Sequence, residues 1–115
     1  MNRFMHMIFA ALLLVAVAPT AAHAAPLDPP DTFNFESVDS VQLLTVRNRL
    51  AVKGVGVGTA TPVEYSFYFQ NATNAADCQK QALLAMDRPG RYSLTFDLDS
   101  GSGFGSGFNC RLTRR

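Results

Sequence analysis

The chain has 115 residues, with ten Lys and Arg against nine Asp and Glu, two histidines and two cysteines. That length holds one domain, and the near-zero net charge offers no electrostatic case for nucleic acid or a membrane surface as partner. Both histidines, His6 and His23, lie in the first 24 residues; if these are removed, the remainder has no Ser-His-Asp or Cys-His mechanism and lacks the commonest transition-metal ligand.

Those first residues have the three parts of a secretory leader. Arg3 gives the positive start, residues 8–18 are an uninterrupted apolar run, and Ala22-His23-Ala24 is a small-x-small cleavage signal. The run is too short for a membrane span, which needs about 20 apolar residues. The expectation is a signal peptide over 1–24, export to the periplasm or the extracellular space, and no membrane span in the mature chain. Losing Arg3 makes basic and acidic residues equal in number.

Residues 25–40 carry Pro26, Pro29 and Pro30 among the acids Asp28, Asp31, Glu36 and Asp39. They read as an extended arm pinned at its far end by Phe33 and Phe35. A single domain follows over 41–115. In VQLLTVRNRLAV, Leu44, Val46, Leu50 and Val52 share one face of a long strand over 41–52, with Arg47 and Arg49 opposite and no turn at Asn48. In KGVGVGT the apolar parity slips to Val55 and Val57, which predicts a bulge near Gly54. Gly54, Gly56 and Gly58 leave one face bare and admit a close neighbour. A phosphate loop would need a helix directly after these glycines; Thr59 to Pro62 and another strand follow instead.

VEYSFYFQ alternates cleanly, with Val63, Tyr65, Phe67 and Phe69 inward and Glu64, Ser66, Tyr68 and Gln70 outward, so it is a half-buried strand. The period then changes. Asn74 with Asp77 three residues on resembles a capping box, and Ala75, Cys78, Ala82, Ala85 and Met86 share one helical face, broadened by Leu83 and Leu84. The helix stops at Asp87-Arg88-Pro89-Gly90. RYSLTFDL alternates again, with Tyr92, Leu94, Phe96 and Leu98 inward. The glycine-serine tract over 100–103 is a hairpin loop, and a final strand turns Phe104, Phe108, Cys110 and Leu112 to the core.

After export, Cys78 and Cys110 meet an oxidising compartment and form a structural disulfide. Two thiolates alone do not complete a zinc shell. The expected fold is α+β: an antiparallel sheet of about four strands in ββαββ order, one helix packed on one face, and the disulfide tying the helix to the last strand.

Candidate functional residues are few. If the strands 63–70 and 91–98 pair, Glu64, Tyr68, Arg91, Thr95 and Asp97 share one exposed face, with an aromatic ring among polar neighbours suited to contacting a partner. Arg47 and Arg49 extend such a patch. Asp97, Asp99 and Gly101 form an Asp-x-Asp-x-Gly fragment, but no acid follows Asp99 to complete a calcium loop. Asn71-Ala72-Thr73 matches a glycosylation acceptor. Arg111, Arg114 and Arg115 read as a solvated end. Without histidine, hydrolysis would rest on paired carboxylates, and nothing in the sequence places two across a cleft. The expectation is a small exported, non-catalytic binding or accessory protein acting by surface recognition, an inhibitor of a secreted hydrolase being one specific form. It takes no cofactor, and its partner is another exported protein or a cell-envelope component. The alternatives are a weak calcium module at 97–101 and a small carboxylate-dependent hydrolase.

Overall fold

The computed structural model describes residues 25–99 and 107–115. Residues 1–24, the glycine-serine tract and Phe104 lie outside the described residues. Five strands and one helix run in the order β1 (Thr32–Leu44), β2 (Arg49–Gly56), β3 (Pro62–Tyr68), α1 (Ala72–Asp87), β4 (Tyr92–Asp99) and β5 (Gly107–Arg114). All pair antiparallel in one sheet ordered β3-β2-β1-β4-β5. The α+β class, the single helix among the described residues and the Cys78–Cys110 disulfide agree with the sequence reading. The expected order is matched only in part, since two strands follow the helix as expected but the sheet has five strands. There are three strands before the helix, and the residues read as the end of an extended arm begin the central strand.

The reason lies in β1. Its core-side residues are Phe33, Phe35, Val38, Val41 and Leu43, a spacing that breaks two-residue alternation twice. Register against β2 shifts between Phe35 and Ser37 and again between Val38 and Ser40. Each shift inserts one extra β1 residue, and each restores an apolar side chain to the inner face. The predicted bulge therefore exists, but on the facing strand. β2 itself keeps strict parity: Leu50 and Val52 are fully buried, and Gly54 and Gly56 continue their inward face.

Those two glycines are where another element comes close. A Cβ on Gly54 would collide with the Ser37 carbonyl, and one on Gly56 would stand 2.5 Å from the Phe33 ring. Gly54→Ala therefore forces the bulged backbone apart, with an expected loss of about 1–3 kcal/mol, read as a lower urea midpoint.

The strand read as continuous over 41–52 is broken. A short 3-10 turn, η1 (Thr45–Arg47), reverses the chain, and Asn48 closes it at φ 50° and ψ 46°, a left-handed conformation that asparagine tolerates better than most residues. Val46 is 93 % exposed at this turn rather than on a core face.

The helix starts earlier than Asn74. Asn71 is the N-cap, its Oδ1 accepting from the Asn74 amide at 2.8 Å. Asn71→Ala is expected to cost about 1 kcal/mol and Asn74→Ala much less, a difference that thermal melting resolves. Ala75, Cys78, Ala82 and Ala85 are buried as the periodicity indicates, whereas Leu83 and Leu84 face outward, 42 % and 40 % exposed. Small residues on the buried stripe let α1 lie close to the sheet. Gly90, at φ 82°, completes the turn into β4.

The sheet is strongly curled. β3 and β4 are three strand spacings apart, which in a flat sheet is about 14 Å, and the edge strands β3 and β5 would be about 19 Å apart. Yet Phe67 and Phe96 stack at 3.7 Å with planes 7° apart, and Phe67 meets Phe108 edge-on at 5.0 Å. A Cβ on Gly107 would come within 2.8 Å of the Gln70 amide nitrogen. The curl gathers Phe35, Phe67, Phe96 and Phe108 into one aromatic centre beneath α1. Two bulges in the middle strand supply the bend, since each raises local twist. The segment before β1 is also tied down: the Leu27 amide donates to the Glu64 carbonyl and the Leu27 carbonyl accepts from Ser66, bridging alongside β3.

Candidate functional site

The five residues read as one exposed patch divide between two parts of the sheet. β2 and β1 separate β3 from β4. On β3, Glu64 is half-buried opposite Lys53, and Tyr68 lies opposite Arg49 with its ring edge-on to Phe108 at 5.4 Å. Tyr68 thus serves as packing at the rim of the core, with part of its surface left open. On the β4 side, Thr95 is 7 % exposed between Asn34 and Arg111, Asp97 is half-buried between Thr32 and Asn109, and Arg91 is exposed in the turn before the strand. Asp97 and Asp99 share a face of β4 by alternation. Gly101 of that fragment lies outside the described residues, among which no group of three or more metal-capable side chains converges.

Cys78 and Cys110 are joined, with Cα atoms 5.6 Å apart across 32 positions. Beside the bridge is a cleft of about 150 Å³. Asn74, Asp77 and Gln81 line it from α1, Asn109 lines it from β5, and Phe69 and Phe108 form its floor. The two phenylalanines are almost wholly buried, so they offer a bound molecule little aromatic face.

A larger recess, about 410 Å³, opens at the other end of α1 and is lined by Arg88, Arg91, Tyr92, Arg114 and Arg115. Each arginine is positioned by main-chain bonds. The Arg88 amide donates to the Leu84 carbonyl at 3.3 Å and the Arg91 amide to the Arg88 carbonyl at 3.1 Å. The Arg115 amide donates to the Arg91 carbonyl at 2.9 Å, and β-pairing sets Arg114 opposite Tyr92. One guanidinium is partly neutralised: Arg115 reaches Glu36 at 3.0 Å, both side chains being well exposed. Glu36 is the extra residue at the first β1 register shift. The negative end of the α1 dipole lies here as well and eases the repulsion among the cations.

Sequence reading treated Arg91 as part of a patch and Arg114 and Arg115 as a solvated end. The signal that unites them is hairpin register: once Phe96 faces Cys110, Tyr92 must face Arg114. Four of the chain's ten basic residues then meet in one place. The chemistry such a recess offers is attraction and orientation of an anion; its lining pairs no nucleophile with a base. No family model matches this chain, nor does any curated protein or solved structure.

Proposed function

We propose that the chain is a small exported binding protein that works by surface recognition and makes or breaks no bond in its partner. The observation that carries this reading is the arginine recess, held by main-chain bonds at the meeting of α1, β4 and β5. The disulfide supports it in two ways. It suits an oxidising compartment, and it fixes α1 to β5, so the recess does not have to be ordered afresh on binding. The described helix is not long or apolar enough to cross a membrane. The carboxylates that a histidine-free hydrolase would use, Glu64 on β3 and Asp97 on β4, lie on strands that do not pair with each other in the sheet. The partner is another exported protein or a component of the cell envelope.

The test is capture from the exported fraction of the producing cells, with the purified protein and an Arg91→Glu/Arg114→Glu variant side by side. A component retained by the first and lost from the second is the expected result. Turnover of a chromogenic glycoside that disappears in Glu64→Gln would instead make the protein a hydrolase.

A further inference from the structure

We propose that Arg88, Arg91, Tyr92 and Arg114 form a receptor for a phosphate monoester, the dianionic group of a small phosphorylated molecule or of a lipid headgroup. This rests on the binding-protein reading and names its ligand chemistry. Among the described residues, the one ion pair in the recess is Arg115 with Glu36; the guanidiniums of Arg88, Arg91 and Arg114 have no carboxylate partner. Three unpaired cations around one hollow repel each other, and the fold holds their backbones there through the end of α1, the turn after it and the β4–β5 pairing. An anion placed among them removes that repulsion.

The residue type selects the anion. Every cation in the recess is arginine, although the chain also has Lys53 and Lys80. The planar guanidinium fork pairs two N–H groups with two oxygens of one phosphate, which the point charge of lysine does not. A monocarboxylate has one charge and two oxygens to share among three forks. A phosphate monoester has a charge of about −1.5 to −2 at neutral pH and three acceptor oxygens, which matches three unpaired guanidiniums. The recess, about 410 Å³, leaves room for the group that bears the phosphate, with Tyr92 as its wall. A nucleic-acid strand fits less well, because the cations form a local cluster on a chain of balanced charge and not a stripe.

The test titrates the purified protein with inorganic phosphate and with phosphatidylcholine vesicles containing phosphatidic acid. Arginine Nε–Hε resonances report the first and co-sedimentation the second. The expected result is a joint shift of Arg88, Arg91 and Arg114, with affinity about tenfold weaker in Arg91→Gln and in Arg114→Gln. Arg47→Gln, outside the recess, is unchanged, and all three variants keep the parent melting temperature. Saturation by inorganic phosphate identifies a soluble ligand; binding only to the doped vesicles identifies a headgroup, and either supports the proposal. It is overturned if none of the three resonances moves with either probe, if Arg47→Gln weakens binding equally, or if a single-stranded oligonucleotide binds more tightly than both. If both phosphate and the doped vesicles fail while Arg91-dependent capture of a partner persists, the ligand class is wrong and the binding-protein reading stands.

Discussion

Replacing both cysteines, Cys78→Ser with Cys110→Ser, is expected to lower stability by about 3–4 kcal/mol. The melting temperature of a domain this size then falls by on the order of 15–25 °C. The bridge closes a long loop, 32 positions between partners, and the entropy it removes from the unfolded chain grows with that length. It also acts where the fold has least redundancy. Among the described residues β5 is an edge strand whose ladder runs to β4 alone, and the disulfide joins it directly to the helix over the core. Serine at 78 adds a hydroxyl at a position 1 % exposed, so the loss exceeds the entropy term if that group finds no partner. Thermal melts of the parent protein with and without reductant, beside the double variant, measure the effect. Equal melting temperatures in all three would show that the link is dispensable.

Phe67→Ala is the second large effect, with an expected cost of about 3–5 kcal/mol. Its ring is fully buried, stacks on Phe96, and makes edge contacts with Phe35, Tyr65 and Phe108. Residues from β1, β3, β4 and β5 therefore lose a common neighbour, and a cavity opens where the curled sheet closes on itself. Against a total stability of about 5–15 kcal/mol, the variant approaches unfolding at room temperature. Tyr68→Ala is the informative comparison. Tyr68 is half-buried at the rim of the core, its ring edge-on to Phe108 at 5.4 Å, so truncating it opens no closed cavity and its urea midpoint moves much less. Equal shifts in the two variants would mean that the curl does not bring Phe67 to the centre.

Much of this architecture was legible wherever one periodicity ran undisturbed. Val63, Tyr65 and Phe67 alternate through β3, and Ala75, Cys78, Ala82 and Ala85 mark the buried stripe of α1. The disulfide follows from two cysteines, each on a core-facing position. β1 was hidden because its inward residues, Phe33, Phe35, Val38, Val41 and Leu43, straddle two register shifts, and a bulge leaves no separate mark in residue type. Asn48 did carry a mark, since asparagine accepts a left-handed backbone, but the flanking apolar residues outweighed it.

Pairing of β1 with β4 is non-sequential, and no local pattern announces it. That single placement parts Glu64 and Tyr68 from Arg91, Thr95 and Asp97. The arginine recess escaped for a different reason. Net charge sums over the whole chain, whereas hairpin register decides which cations become neighbours.

Assignment of cross-strand main-chain nuclear Overhauser contacts in the folded protein tests the β1 placement most directly. Contacts linking β1 to β4 over Phe33–Phe96 and Phe35–Leu94, together with β2 to β3 over Leu50–Phe67, are the expected result. Main-chain contacts running directly between residues 62–68 and 92–99 would contradict it, since they would put β3 beside β4 and remove β1 from the middle of the sheet.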